Sequence, residues 1–116
     1  MAKYKAIFHL DEPSKGRADQ VLMNINNLLN DLGDRNVEVE LLANGGGVRA
    51  LTKGPEGQVD QMELLSKRGV RFVACQNSLE HLNLSREDLL NMVEVVTAGI
   101  SELVKKQVEG WAYIRP

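Results

Sequence analysis

The sequence predicts an α/β fold of three layers, an α/β/α sandwich around a mostly parallel five-stranded sheet. Three observations predict it. Short apolar runs alternate with longer stretches whose apolar residues recur at gaps of three and four. The segments follow one another as β-α-β-α-β-α-β-α-β, and such alternation builds a parallel sheet through helical crossovers. The strand-like runs are largely apolar, as strands covered on both sides must be.

Each element has its own local reason. Lys3–His9 (KYKAIFH) is the first strand, with Ala6, Ile7 and Phe8 at its centre. Pro13 and Gly16 mark a turn over Asp11–Arg17, and Ser14 is the candidate cap of the next helix. Ala18, Val21, Leu22, Ile25, Leu28, Leu29 and Leu32 draw one apolar stripe on that helix. Gly33 stands where a left-handed cap is wanted. Val37–Ala43 (VEVELLA) is the second strand. It runs into Asn44-Gly45-Gly46-Gly47, read as irregular, with a short turn of helix at Val48–Leu51. Lys53–Gly57 (KGPEG) is a loop. Val59, Met62 and Leu65 give another helical stripe, ended by Gly69, and Val70–Ala74 is the third strand. Asn77 or Ser78 can cap a short helix through Leu82. Ser85 and Asp88 have capping-box spacing for a turn over Arg86–Asn91. Val93–Val96 is the fourth strand. Thr97 can cap the helix carrying Ile100, Leu103, Val104 and Val108, whose charged run of Glu102, Lys105, Lys106 and Glu109 reads as a solvated face. Gly110 closes that helix, and Trp111–Ile114 (WAYI) is the fifth strand.

The bulk numbers exclude several classes. With 116 residues the chain is one domain, spanning 1–116, large enough to fold without disulfide or metal. Fourteen basic and sixteen acidic residues give a formal charge of −2, and aromatics are only 4%. That argues against a nucleic-acid partner, which calls for a basic face and often interleaved aromatics. Lys67, Arg68 and Arg71 read as a solvated helix end. No apolar run is long enough to span a bilayer, and the N-terminus lacks a signal-peptide pattern. A single cysteine cannot make an internal disulfide and suits a reducing compartment, so the expected location is cytoplasmic.

In an open parallel sheet, ligands gather beyond the carboxyl ends of the strands. The residues there are His9, Asp11 and Glu12, then Asn44–Gly47, then Cys75, Gln76, Asn77 and Ser78, then Thr97. Cys75 ends a strand and precedes a helix, whose dipole and unpaired N–H groups favour an anion. A thiolate is such an anion, and its formation there would be eased. The competing reading is a small buried core residue, which free cysteine often is. Gly45, Gly46 and Gly47 offer backbone N–H groups to an anion, or simply form a tight turn; they match neither the dinucleotide fingerprint nor the P-loop. His9 is read as a structural hydrogen-bonder, with assistance to a nearby thiol as the functional alternative. His81 reads as a surface residue. No metal is expected, because Cys75, His9 and His81 have no zinc spacing. No cofactor is expected. Ser78 lacks the glycines of a nucleophile elbow.

These segments resemble a known family. VRFVACQNSL after a strand, LLANGGGVRALTKG after an earlier one, FHLDEP at the start and GWAYIRP at the end look together like a small stand-alone member of the DsrE/DsrF-like family. The resemblance covers nearly the whole chain. It implies an α/β/α sandwich around a parallel five-stranded sheet, and homo-oligomers, commonly trimers or hexamers. It implies a cysteine that carries sulfur as a persulfide from a donor to an acceptor protein, a role that falls on Cys75. Gln76 replaces the glycine usual at that point of the motif and narrows the approach to the thiol. Asn44–Gly47, Gln76, Asn77 and Ser78 are then the expected surroundings of the sulfur, with His9 assisting. This activity requires the sulfur to stand open at the rim of the sheet. The alternatives are a non-catalytic module holding a small anion on the same edge, and an interaction subunit built on WAYI or exposed apolar faces.

Overall fold

The structure is a computed structural model that describes residues 2–54 and 58–116; positions 55–57 of the predicted KGPEG loop lie outside the described residues. Its strands are β1 (Tyr4–Leu10), β2 (Val37–Ala43), β3 (Arg71–Cys75), β4 (Glu94–Val96) and β5 (Ala112–Ile114). Its helices are α1 (Lys15–Leu32), α2 (Val59–Lys67), α3 (Gln76–His81) and α4 (Gly99–Val108), with 3₁₀ turns at Gly45–Leu51 and Arg86–Asp88. The sheet order is β4-β3-β2-β1-β5, and every pair is parallel. All five carboxyl ends therefore lie on one edge.

Side chains alternate across this sheet. Ala6, Phe8, Leu10, Val39, Leu41, Phe72 and Ala74 face α1 and α2, and with Val21, Leu22, Ile25, Met62 and Leu65 they form the main core. Ile7, Leu42 and Val73 face the other way, against Leu103 of α4 and Trp111. The second layer is thinner because α4 is the one long helix on that side.

The caps follow the local sequence. Ser14 Oγ accepts the Arg17 N–H at 3.1 Å and starts α1. Gly33, Gly69 and Gly110 end their helices at φ +92°, +101° and +95°, a region where a side chain is strained. Ser85 and Asp88 close a capping box, over a turn shorter than predicted. Three expectations are corrected. The segment after β2 is a 3₁₀ helix from Gly45 rather than irregular chain. The N-cap of α3 is Cys75 itself, not Asn77 or Ser78. The N-cap of α4 is Ala98 rather than Thr97, with no side-chain cap bond.

The largest correction concerns the face of α4. Leu103 is buried, but Ile100, Val104 and Val108 are 66%, 55% and 83% exposed. Glu102 and Lys106, read as solvated, instead turn to the sheet. The cause is Glu40, a fully buried carboxyl in the middle of β2, which a purely apolar helix face would leave unpaired. The basic patch likewise dissolves into pairs: Arg68 holds Asp34, Asn26 and Asn30, while Arg71 holds Glu40 and Glu94.

Candidate functional site

The carboxyl edge brings Cys75, Ser78, Asn44, Gly45 and Gly99 together. Cys75 is the last residue of β3 and the N-cap of α3, with extended backbone at φ −83°, ψ 119°. On β3 its side chain shares a face with Val73, so it points toward α4. The residue is 5% exposed: the sulfur is recessed under the first turn of α4, not open at the rim as the activity read from the sequence required.

Gly99 makes that cover possible. A Cβ there would stand 3.0 Å from Leu42 Cδ1 and 3.2 Å from both Asn44 Cβ and Cys75 Cβ. Without it, the backbone of α4 comes down onto the thiol. Gly99 belongs to no motif, and the signal for it in the sequence is a glycine that opens a helix straight after a strand.

The sulfur is recessed, with polar groups beside it. Burial pushes the Cys75 thiol up, but hydrogen bonds from the Ser78 hydroxyl and from the backbone N–H groups of Gly99, Ser78 and Asn77 outweigh it. The net direction is below the ordinary value. The donors converge from the starts of two helices, where backbone N–H groups lack helical partners.

Ser78 also ties two loops together. Its Oγ accepts the Gly45 N–H at 2.7 Å, which leaves the hydroxyl hydrogen for the sulfur. The glycine run serves this closeness. Gly45 takes φ +53°. A Cβ on Gly46 would lie 2.8 Å from Pro13 Cδ, and one on Gly47 would lie 2.1 Å from the Leu10 carbonyl oxygen. The N–H groups of Gly45 and Gly47 are already taken, by Ser78 Oγ and the Asn44 carbonyl.

His9 lies two strands from Cys75, about 10 Å across the sheet at the usual strand spacing. Its Nε2–H donates to Asn44 Oδ1 at 2.8 Å, and the Tyr113 hydroxyl donates to its Nδ1 at 2.6 Å. Asn44 thus stands between His9 and the thiol. Gln76 donates to Glu80 at 2.9 Å, so its side chain lies along α3. Asn77 contributes its backbone N–H and is otherwise exposed. Thr97 is exposed, and His81 is on the surface of α3. Asp11 pairs with Arg115 at 2.9 Å, and Arg17 donates to the Pro116 carbonyl, so the C-terminal residues are fastened beside the β1–α1 loop.

Comparison with known proteins agrees with this geometry. The family model described as DsrE/DsrF-like family matches residues 5–116. A protein of unknown function from Methanobacterium thermoautotrophicum, MTH1491, has 38% sequence identity and a TM-score of 0.90, with 97% of this chain and 99% of that one covered. The ychN protein from E. coli shares the fold at a TM-score of 0.81 and 17% identity, over 97% of this chain and 99% of that one. No curated protein matches. With its family model matched over almost its full length, and its five parallel strands ending on one glycine-lined edge, the chain belongs to the DsrE/DsrF-like family.

Proposed function

We propose that the protein is a sulfur-relay protein, carrying sulfane sulfur as a persulfide on Cys75 and passing it to a partner thiol. One arrangement supports the reading: the single thiol of the chain ends β3, stands at the N-cap of α3 and lies under the first turn of α4, and the hydroxyl and N–H groups beside it draw its pKa down despite burial.

The chemistry needs no oxidant. The Cys75 thiolate attacks the outer sulfur of a donor persulfide, an S–S bond forms, and the donor leaves as a thiolate. An acceptor thiolate then attacks the outer sulfur of the Cys75 persulfide, and Cys75 departs as the thiolate. The amides that stabilise the resting anion stabilise the leaving one. With one cysteine in the chain, donor and acceptor are other molecules. Because the sulfur is recessed, the exchange requires the first turn of α4 to move aside so that the donor's outer sulfur can reach Cys75. Asn44 and the Gly45–Gly47 turn shape the wall, and His9 holds Asn44. The unit that works is a homo-oligomer, a trimer or hexamer, for which the outward Ile100, Val104 and Val108 stripe provides an apolar face.

Intact mass after incubation with inorganic polysulfide tests the reading. Wild type is expected to gain one sulfur, lost on reduction and absent in Cys75→Ser. An unmodified wild type, with a small anion raising the melting temperature instead, favours a non-catalytic anion-binding module.

A further inference from the structure

A second cluster lies behind the sulfur site, on the same face of the sheet. Glu40 sits mid-strand in β2 and is fully buried. Its Oε1 accepts from Arg71 Nη1 of β3 at 3.0 Å and lies 3.8 Å from Lys106 Nζ of α4. Its Oε2 is buried with no hydrogen-bond partner among the described residues. Glu102 stands on α4 one turn before Lys106, and its negative charge adds to what raises the Glu40 pKa. Arg71 also clasps Glu94 of β4 through two nitrogens, at 2.9 and 3.0 Å. Lys106 further approaches the exposed Glu109 at 3.9 Å and stands 4.7 Å over the Trp111 ring. On β1 the neighbour in register is Ile7, which carries no charge.

The facing groups are therefore three carboxyls, Glu40, Glu94 and Glu102, and two cations, Arg71 and Lys106. One proton makes the set neutral. Glu94 is exposed and tightly held by Arg71, so the proton belongs on Glu40, the carboxyl that is out of water.

We propose that Glu40 holds one proton, and that this proton lets α4 close on the sheet and so keeps the Gly99 backbone packed against Cys75. The same ten-residue helix carries both groups, Gly99 at its first position and Glu102 one turn on. Losing the proton sets two carboxylates against each other beneath the helix, and relief comes by lifting its first turns. The sulfur site is thereby proton-sensitive through a residue that does not touch it. Control of sulfur transfer by this latch rests on the persulfide reading above; the latch itself does not.

The sign follows from burial. Desolvation first, then Glu102, raises Glu40 from 4.5 to about 8, against the pull of Arg71 and Lys106. When α4 lifts, water reaches Glu40 and its ordinary value returns. Closure is then strongest below about pH 5, weakens as the pH rises, and loses this contribution above about pH 8.

Amide exchange of Gly99 by NMR, corrected for intrinsic base catalysis, reads the latch directly. The opening equilibrium is expected to rise at least about tenfold between pH 5.5 and 7.5 in wild type and to level off above about 8. Glu40→Gln, which keeps a neutral hydrogen-bonding group, should remove that rise. A pH-independent Gly99 opening in wild type, or the same rise in Glu40→Gln, overturns the proposal. Should that variant not fold, the carboxyl ¹³C shift of Glu40 in wild type decides the point: titration below pH 5.5 overturns it as well. These readouts involve no sulfur transfer, so failure of the polysulfide experiment leaves them intact, and the reverse holds too.

Discussion

A thiol buried to 5% exposure is ordinarily inert, and at Cys75 the polar groups beside the sulfur lower its pKa against that burial. Gly99 and Ser78 are the residues whose loss should show it. In Gly99→Ala the new methyl meets Leu42, Asn44 and Cys75 at 3.0–3.2 Å, so the first turn of α4 must back away. The thiol pKa is expected to rise, read from the pH profile of Cys75 alkylation. Overpacking should also cost about 1–3 kcal/mol in denaturant unfolding. Ser78→Ala removes the hydroxyl from the sulfur and leaves the Gly45 N–H without its acceptor. It should raise the same pKa and destabilise by about 1–3 kcal/mol. An unchanged alkylation profile in both variants would show that these donors do not tune the thiol. For stability the sign is that of a depressed acid: the Cys75 contribution is present above the ordinary thiol value and is lost as pH falls through the lowered one.

Among the elements, the 3₁₀ turn Gly45–Leu51 and helix α4 decide the shape of the edge. The turn packs so closely on β1 that Gly47 has no room for a side chain. A methyl there would meet the Leu10 carbonyl at 2.1 Å, and backbone cannot swing aside. Gly47→Ala is expected to destabilise by more than about 4 kcal/mol, measured as loss of the cooperative melt or of soluble protein. Much of this level was legible in the chain. The apolar stripe of α1, the Gly33, Gly69 and Gly110 stops and the Ser85–Asp88 box are local chemistry, and each stands where the pattern put it. The orientation of α4 was not legible. Its apolar residues and its charges both recur with helical spacing, so periodicity alone allows either face to turn inward. Glu40 selects the charged one, and Glu40 reads in VEVELLA as an ordinary strand glutamate.

For the whole molecule, an outward stripe of Ile100, Val104 and Val108 is a surface that monomers seldom leave bare. Sedimentation is expected to find a homo-oligomer. The double change Val104→Asp and Val108→Asp should shift it toward monomer while the monomer keeps its far-ultraviolet circular dichroism, since neither side chain belongs to the core. An unaltered assembly would place the interface elsewhere. Among the described residues no helix is long and apolar enough to cross a membrane. The two edge strands, β4 and β5, are three residues each, short enough to limit pairing through open edges.

By itself the sequence determined the layers, the parallel sheet and the strand end on which the single thiol sits, because turns, caps and apolar periodicity act over a few residues. Only the tertiary structure decided the strand order, the cover of Gly99 over Cys75 and the inward turn of Glu102 and Lys106 toward Glu40. Those depend on which distant segments meet. The buried carboxylate draws its partners from β3 and α4, and the sulfur its cover from the start of α4, segments that the chain brings together only on folding.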